Sequence, residues 1–248
     1  GDHSAAGLWG IGHLMFDLPM FYARLARDPG ALGQFNHPNP DGGGNFFDFT
    51  HLTPEADARM NTIEVRGDDA FRQEYTKALD AGWHVGPVYG DDEHHDRWGE
   101  NAPVTGIWAT AQTEEALYEA FRNRTLYVSK DHNAQLLVRG NGEMMGAILD
   151  GDTTTLDLQI QAMDPDPDDS FATLIVRSNG GEEVHTQEGL GREVDVTVPL
   201  EVADGDYYWV EILQEDGDML VSAPIWIGER VAGANYAPEI ELLGRTPE

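Results

Sequence analysis

The chain has 248 residues, 40% of them hydrophobic and 9% aromatic, enough for one large domain or two of ordinary size. Its 45 acidic residues stand against 15 basic ones, and the net charge of -30 at pH 7 repels nucleic acid and anionic membranes. The absence of cysteine excludes a disulfide framework and a thiolate zinc site, and no apolar run approaches the roughly 20 residues of a membrane span. Because the acids are spread along the chain, they read as a solvated, strongly acidic surface rather than a cation-collecting patch.

From Asp17 to Arg27, Leu18, Phe21, Tyr22 and Leu25 form a helical stripe that Asp28-Pro29-Gly30 terminates. Ala31 to Phe35 then reads as a short buried strand leading to His37, and Asn39 to Asn45, with three consecutive glycines, as a mobile loop. Met60 to Val65 is a second strand. Asp69 to Ala81 is a helix with Phe71, Tyr75, Ala78 and Leu79 inward, closed by Gly82. His84 to Val88 is a third strand, leading to Asp92 and His94. Thr113 caps a further helix whose first turn holds Glu114 and Glu115, favourable at the positive end of the helix dipole. Strands alternating with helices predict parallel α/β units, which place chemistry at the carboxyl ends of the strands.

After about Gly140 the period changes to two. Leu156, Leu158 and Ile160 share one face of Thr154 to Ala162, and Val194, Val196 and Val198 share one face of Glu193 to Leu200. Ala172 to Val176, Tyr207 to Ile212 and Met219 to Ile227 are further strands, punctuated by Asp204-Gly205 and Asp216-Gly217. The pattern predicts an all-β sandwich of residues 141–230 after an α/β region of residues 1–140, with an extended tail over 231–248.

Three residues carry the chemistry. His37 precedes Pro38, which disfavours helical backbone, so the sequence predicts an extended His37 at a strand end with its imidazole projecting outward. Asp92 and His94, two apart, face the same side of an extended segment. One neutral imidazole with an Asp-x-His pair suits zinc, manganese or iron better than calcium or magnesium.

Other candidates are weaker. Glu64 and Arg66 read first as a surface ion pair and second as lining of the site mouth, with Arg66 able to engage an anionic substrate oxygen. His84 reads as a hydrogen-bonded strand histidine that could also line the site. His51, His132 and His185 have no metal-ligand context. The run Asp164 to Asp169 lacks the spacing and glycine of a calcium loop and reads as a solvated turn. No Gly-x-Ser-x-Gly elbow occurs, so a covalent serine mechanism has no support.

Taken together, Gly12-His13, Gly33 to Pro38 (GQFNHP), Asp80 to Pro87 (DAGWHVGP) and Asp92 to Gly99 (DEHHDRWG) resemble the carbaryl-hydrolase-type (CehA/McbA-like) branch of the PHP metallohydrolases, the polymerase and histidinol phosphatase superfamily. Thr113 to Tyr127 resembles that branch's later helix and strand, and Asn141 to Gly146 (NGEMMG) its glycine turn, so the likeness spans roughly residues 12–230.

The resemblance implies a distorted PHP-type β/α barrel, here in part, followed by an immunoglobulin-like β-sandwich. It makes His37, Asp92 and His94 metal ligands and His13 a metal or substrate contact. It also implies a divalent transition metal, zinc, manganese or iron, that activates water for attack on a small phosphoester or a carboxylic or carbamate ester. PHP sites also use a His-x-His, and none occurs in these 248 residues. We therefore read the chain as the C-terminal part of a PHP domain, completed by an N-terminal segment or a partner chain. Alternatives are a subunit of a heteromeric hydrolase and a non-catalytic metal-binding or interaction protein. Relatives of this type are often exported, which leans towards a periplasmic or extracellular location.

Overall fold

The computed structural model describes residues 18–39, 46–66, 69–100 and 103–228. His13, the glycine loop over 40–45 and the tail over 231–248 lie outside them. The fold is mixed, with a small parallel α/β unit followed by two large, mostly antiparallel sheets.

The α/β unit opens with α1 (Leu18–Leu25), β1 (Gly33–Phe35), a left-handed turn over Phe46–Phe49 and α2 (Pro54–Asp57). It continues through β2 (Met60–Glu64), α3 (Asp69–Asp80) and β3 (Gly86–Val88). Its three strands are parallel in the order β1-β2-β3. β2 is central and buried along its whole length, as expected of a parallel strand covered on both faces. Pro87 sits in β3 at an edge of this sheet, where a missing N–H costs no ladder bond. The helix α3 ends in a Schellman turn, with Trp83 N–H on Ala78 O, Gly82 N–H on Leu79 O, and Gly82 at φ +93°. The sheet is open, and no closed barrel appears among the described residues.

Then follow β4 (Val104–Ile107), α4 (Glu114–Asn123), β5 (Leu126–Ser129), β6 (Gln135–Gly140), β7 (Glu143–Met144) and β8 (Ile148–Leu149). Last come β9 (Thr155–Met163), β10 (Phe171–Arg177), β11 (Glu183–Gly191), β12 (Glu193–Glu201), β13 (Tyr207–Gln214), β14 (Met219–Ser222) and β15 (Ile225–Ile227). One sheet runs β12-β9-β6-β7. The other runs β11-β10-β13-β14-β5-β4, with β15 joining β13 to β8. Thr113 caps α4 by accepting from Ala116 N–H. Asn141 (φ +52°) and Gly142 (φ +89°) make the tight turn between β6 and β7, a pairing of residues that tolerates two successive positive φ values.

The two large sheets close on one core, in which Leu136, Leu158 and Ile160 face Val176, Val210 and Leu220. A second core underlies the parallel sheet around Tyr22, Phe35, Tyr75 and Trp83, and it also takes Tyr207, Trp209 and Trp226 from the later strands. Sheet pairing runs across residue 140: β5 pairs β14, and β6 pairs β9. The run Met219 to Ile227, expected as one strand, is two. Pro224 separates them because it has no N–H to donate to a ladder.

Candidate functional site

Because β1, β2 and β3 are parallel neighbours, the segments leaving their carboxyl ends share one edge. β1 leads to His37, β2 ends at Glu64 with Arg66 just beyond, and β3 leads through Tyr89 to Asp92 and His94. Open parallel sheets bind ligands at this edge.

Asp92 is the hub. Its Oδ1 lies 3.6 Å from His37 Nε2 and 3.6 Å from His94 Nε2. Asp92 thus approaches each histidine, but the three do not form a group whose ligand atoms all lie within 4.8 Å of one another; among the described residues that holds for a set of four aspartates. The backbone at His37 and Asp92 differs from the extended form expected. His37 has φ +51° and Asp92 φ +53°, and both lie in loops past the strand ends. The preference imposed by Pro38 is overridden by tertiary anchoring: His37 N–H donates to Glu64 Oε2 at 2.7 Å. His and Asp are among the side chains that tolerate this left-handed region best, and strain of this kind collects at functional sites.

Glu64 is fully buried, so the surface ion pair expected of it is corrected. One oxygen accepts from Arg66 Nε at 2.5 Å, and the other lies 2.7 Å from His37 Nδ1. Arg66 Nη2 is also 3.0 Å from Nδ1. With the ring proton on Nδ1, His37 donates to the carboxylate and its Nε2 lone pair faces Asp92. Gly90 passes directly over this pair, where a Cβ would meet Glu64 Oε1 at 2.7 Å. The neighbouring Tyr89 phenol is pushed above its ordinary pKa, by burial first and then by Asp91, with Arg66 opposing. Tyr89 and Gly90 escaped the sequence reading because neither residue type signals a site. The position after a parallel strand was the available clue.

His84 stands apart. Its Nδ1 is 2.7 Å and its backbone N–H 2.8 Å from the two oxygens of Asp57, and its ring packs on Trp226. It is hydrogen-bonded as expected, but it lies two residues before β3 rather than in the strand, and none of its contacts reaches Asp92. His51 packs on Phe47, and His132 is exposed.

A second polar group was missed. Asp131, Asp164, Asp166 and Asp169 offer carboxylate oxygens all within 4.8 Å of one another, and this group could hold a metal ion. The expected solvated turn is thus corrected. Asp164 is buried, accepting from Asp166 N–H at 2.8 Å and from Gln214 Nε2 at 2.6 Å. Burial raises its pKa above the ordinary aspartate value, opposed by the Asp166 N–H bond and helped by the charges of Asp131, Asp169 and Asp166. Asp131 lies more than thirty positions before the others, so no local motif could have announced the group.

Fold and site define a mixed α/β-plus-β protein with a His–Asp cluster at the carboxyl edge of its parallel sheet. No protein-family model matches the chain, and no curated protein matches it. Among the described residues no helix is long and apolar enough to cross a membrane.

Proposed function

We propose that this chain is a PHP-type, metal-dependent hydrolase of the carbaryl-hydrolase-type branch, acting on small phosphoesters or carboxylic and carbamate esters outside the cytoplasm. On this reading the parallel unit is part of a distorted β/α barrel, and the packed sheets are an immunoglobulin-like sandwich. The observation that carries it is the placement of Asp92 Oδ1 3.6 Å from the Nε2 atoms of both His37 and His94. That is too long for a hydrogen bond. Two ligands at 2.0–2.1 Å on one tetrahedral ion stand about 3.3–3.4 Å apart, so each Asp92–histidine pair is near the spacing for zinc, manganese or iron, and the two imidazoles must swing towards each other to share one ion.

A metal held there supplies Lewis acidity, polarising the scissile ester and lowering the pKa of a water. The chain's own residues do the rest. Glu64, 2.7 Å from His37 Nδ1, favours the proton there against the Arg66 Nη2 donor at 3.0 Å, which would present Nε2 as a ligand in the manner of carboxylates behind metal-bound histidines. Arg66 neutralises the buried Glu64 and keeps its guanidinium beside the site, where it can engage an anionic substrate oxygen.

Metal analysis tests the assignment. After loading with zinc or manganese and gel filtration, the wild type should retain metal and a His37→Ala/His94→Ala variant should not. Equal content in the two would sink it. Three ligands from this chain leave coordination positions for others, which favours a second reading: one subunit of a heteromeric hydrolase. Chelator-sensitive hydrolysis of aryl phosphates or aryl carbamates only after a partner chain is added would select that reading.

A further inference from the structure

We infer that the carboxylate group between the two packed sheets is a calcium site that clamps two loops to the end of β13. Asp131 lies between β5 and β6, Asp164, Asp166 and Asp169 between β9 and β10, and Gln214 at the end of β13. These elements belong to both large sheets, so a shared ion would join the layers at one end.

The four carboxylates alone would be an acidic cluster and nothing more. The independent observation is Gln214, only 4% exposed, whose Oε1 is buried without any hydrogen-bond partner. Its amide head sits against the cluster, with Nε2 2.6 Å from Asp164 Oδ2. A buried carbonyl oxygen left unpaired is destabilising, and rotation of the amide would bring that oxygen alongside Asp164. Asn133 repeats the arrangement. Its Nδ2 donates to Asp166 Oδ2 at 3.1 Å, while its buried Oδ1 also has no partner. Among the described residues, none of the four aspartates pairs with a lysine or arginine.

The donor set is four carboxylates, joined by two amide carbonyls once the Gln214 and Asn133 amides rotate, and it is then all oxygen. This selects a hard cation over zinc or iron. Calcium takes six to eight oxygens at about 2.3–2.6 Å, so opposite ligands stand about 4.6–5.2 Å apart, and a group spanning up to 4.8 Å matches that sphere. Magnesium needs a tighter octahedron at about 2.0–2.1 Å and sheds water reluctantly.

The test uses the full chain, stripped with chelator and held in about 0.15 M potassium chloride so that general screening of its charge stays constant. Calcium titration by calorimetry should find one tight equivalent, and the melting temperature should climb with added calcium. Magnesium should bind at least about tenfold more weakly. The Asp166→Asn/Asp169→Asn variant changes half-exposed residues and should bind calcium at least about tenfold more weakly, with charge count lost from the site. The His37→Ala/His94→Ala variant should bind calcium as the wild type does, separating this site from the His–Asp cluster. If the aspartate variant folds poorly, equilibrium dialysis of wild-type protein decides: one calcium per chain must survive about a tenfold excess of magnesium. No tight calcium in the wild type, displacement by that magnesium, or unchanged affinity in a folded aspartate variant would each overturn the site.

Discussion

The parallel unit and the packed sheets put polar groups to opposite uses. In the parallel unit, strands of three to five residues end in loops where His37 and Asp92 hold left-handed backbone, and the His37 and His94 side chains are 43% and 59% exposed. In the packed sheets, strands of up to nine residues pair in regular register through β12, β9 and β6, and the carboxylate group beside them is drawn inward until Asp131 and Asp164 are buried. Open, strained and imidazole-bearing describes a place for exchange with solvent. Closed, relaxed and oxygen-lined describes a structural clamp. The physical difference is backbone support: a long antiparallel ladder tolerates buried charge at its end, whereas three short strands leave their ends to be positioned by a few buried contacts.

The largest test of that comparison is dissection. The fragment 103–228 holds every strand of the two large sheets and should fold alone with a β-dominated spectrum that carries the one helix α4. The fragment 18–100 should not, because its core borrows Tyr207, Trp209 and Trp226 from the later strands. Circular dichroism and denaturant titration check both, and a cooperative transition in fragment 18–100 would break the asymmetry.

Next in size is Glu64. Substituting alanine leaves Arg66 and the His37 N–H without their buried acceptor, and should cost on the order of 3 kcal/mol by urea unfolding. The same variant should lower zinc affinity through His37, in the range of about 10–100-fold known for partners of metal-bound histidines. Lost stability with unchanged zinc affinity would make Glu64 purely structural.

The smallest expected effect is electrostatic. At a net charge of -30 the compact state repels itself, and raising sodium chloride from about 0.01 to 1 M shortens the screening length from roughly 30 to 3 Å. The melting temperature should rise with salt, and rise less in the Asp166→Asn/Asp169→Asn variant, where part of the repulsion is gone. A flat response in the wild type would remove the global penalty from the account.

Much of this was legible in one dimension. The stripe at Leu18, Phe21, Tyr22 and Leu25, the Thr113 cap, and the alternation through Leu156 to Ile160 announced α1, α4 and β9, because local periodicity and capping are properties of neighbouring residues. His37, Asp92 and His94 were legible as metal-capable residue types near strand ends, and the structure places Asp92 3.6 Å from each histidine. The strand β11 was not, since it is an edge strand, mostly exposed, with polar residues and two glycines where a buried strand would show apolar alternation.

The sequence by itself determined which side chains stand near strand ends and what chemistry they can offer. Only the tertiary structure decided that Glu64 turns inward to hold His37, that His84 is taken by Asp57, and that Asp131 joins Asp164, Asp166 and Asp169. Each of those depends on strands pairing or loops meeting across tens of residues. Burial then sets the consequence: a carboxylate left in water is screened, while the same group enclosed must find a proton, a donor or a cation.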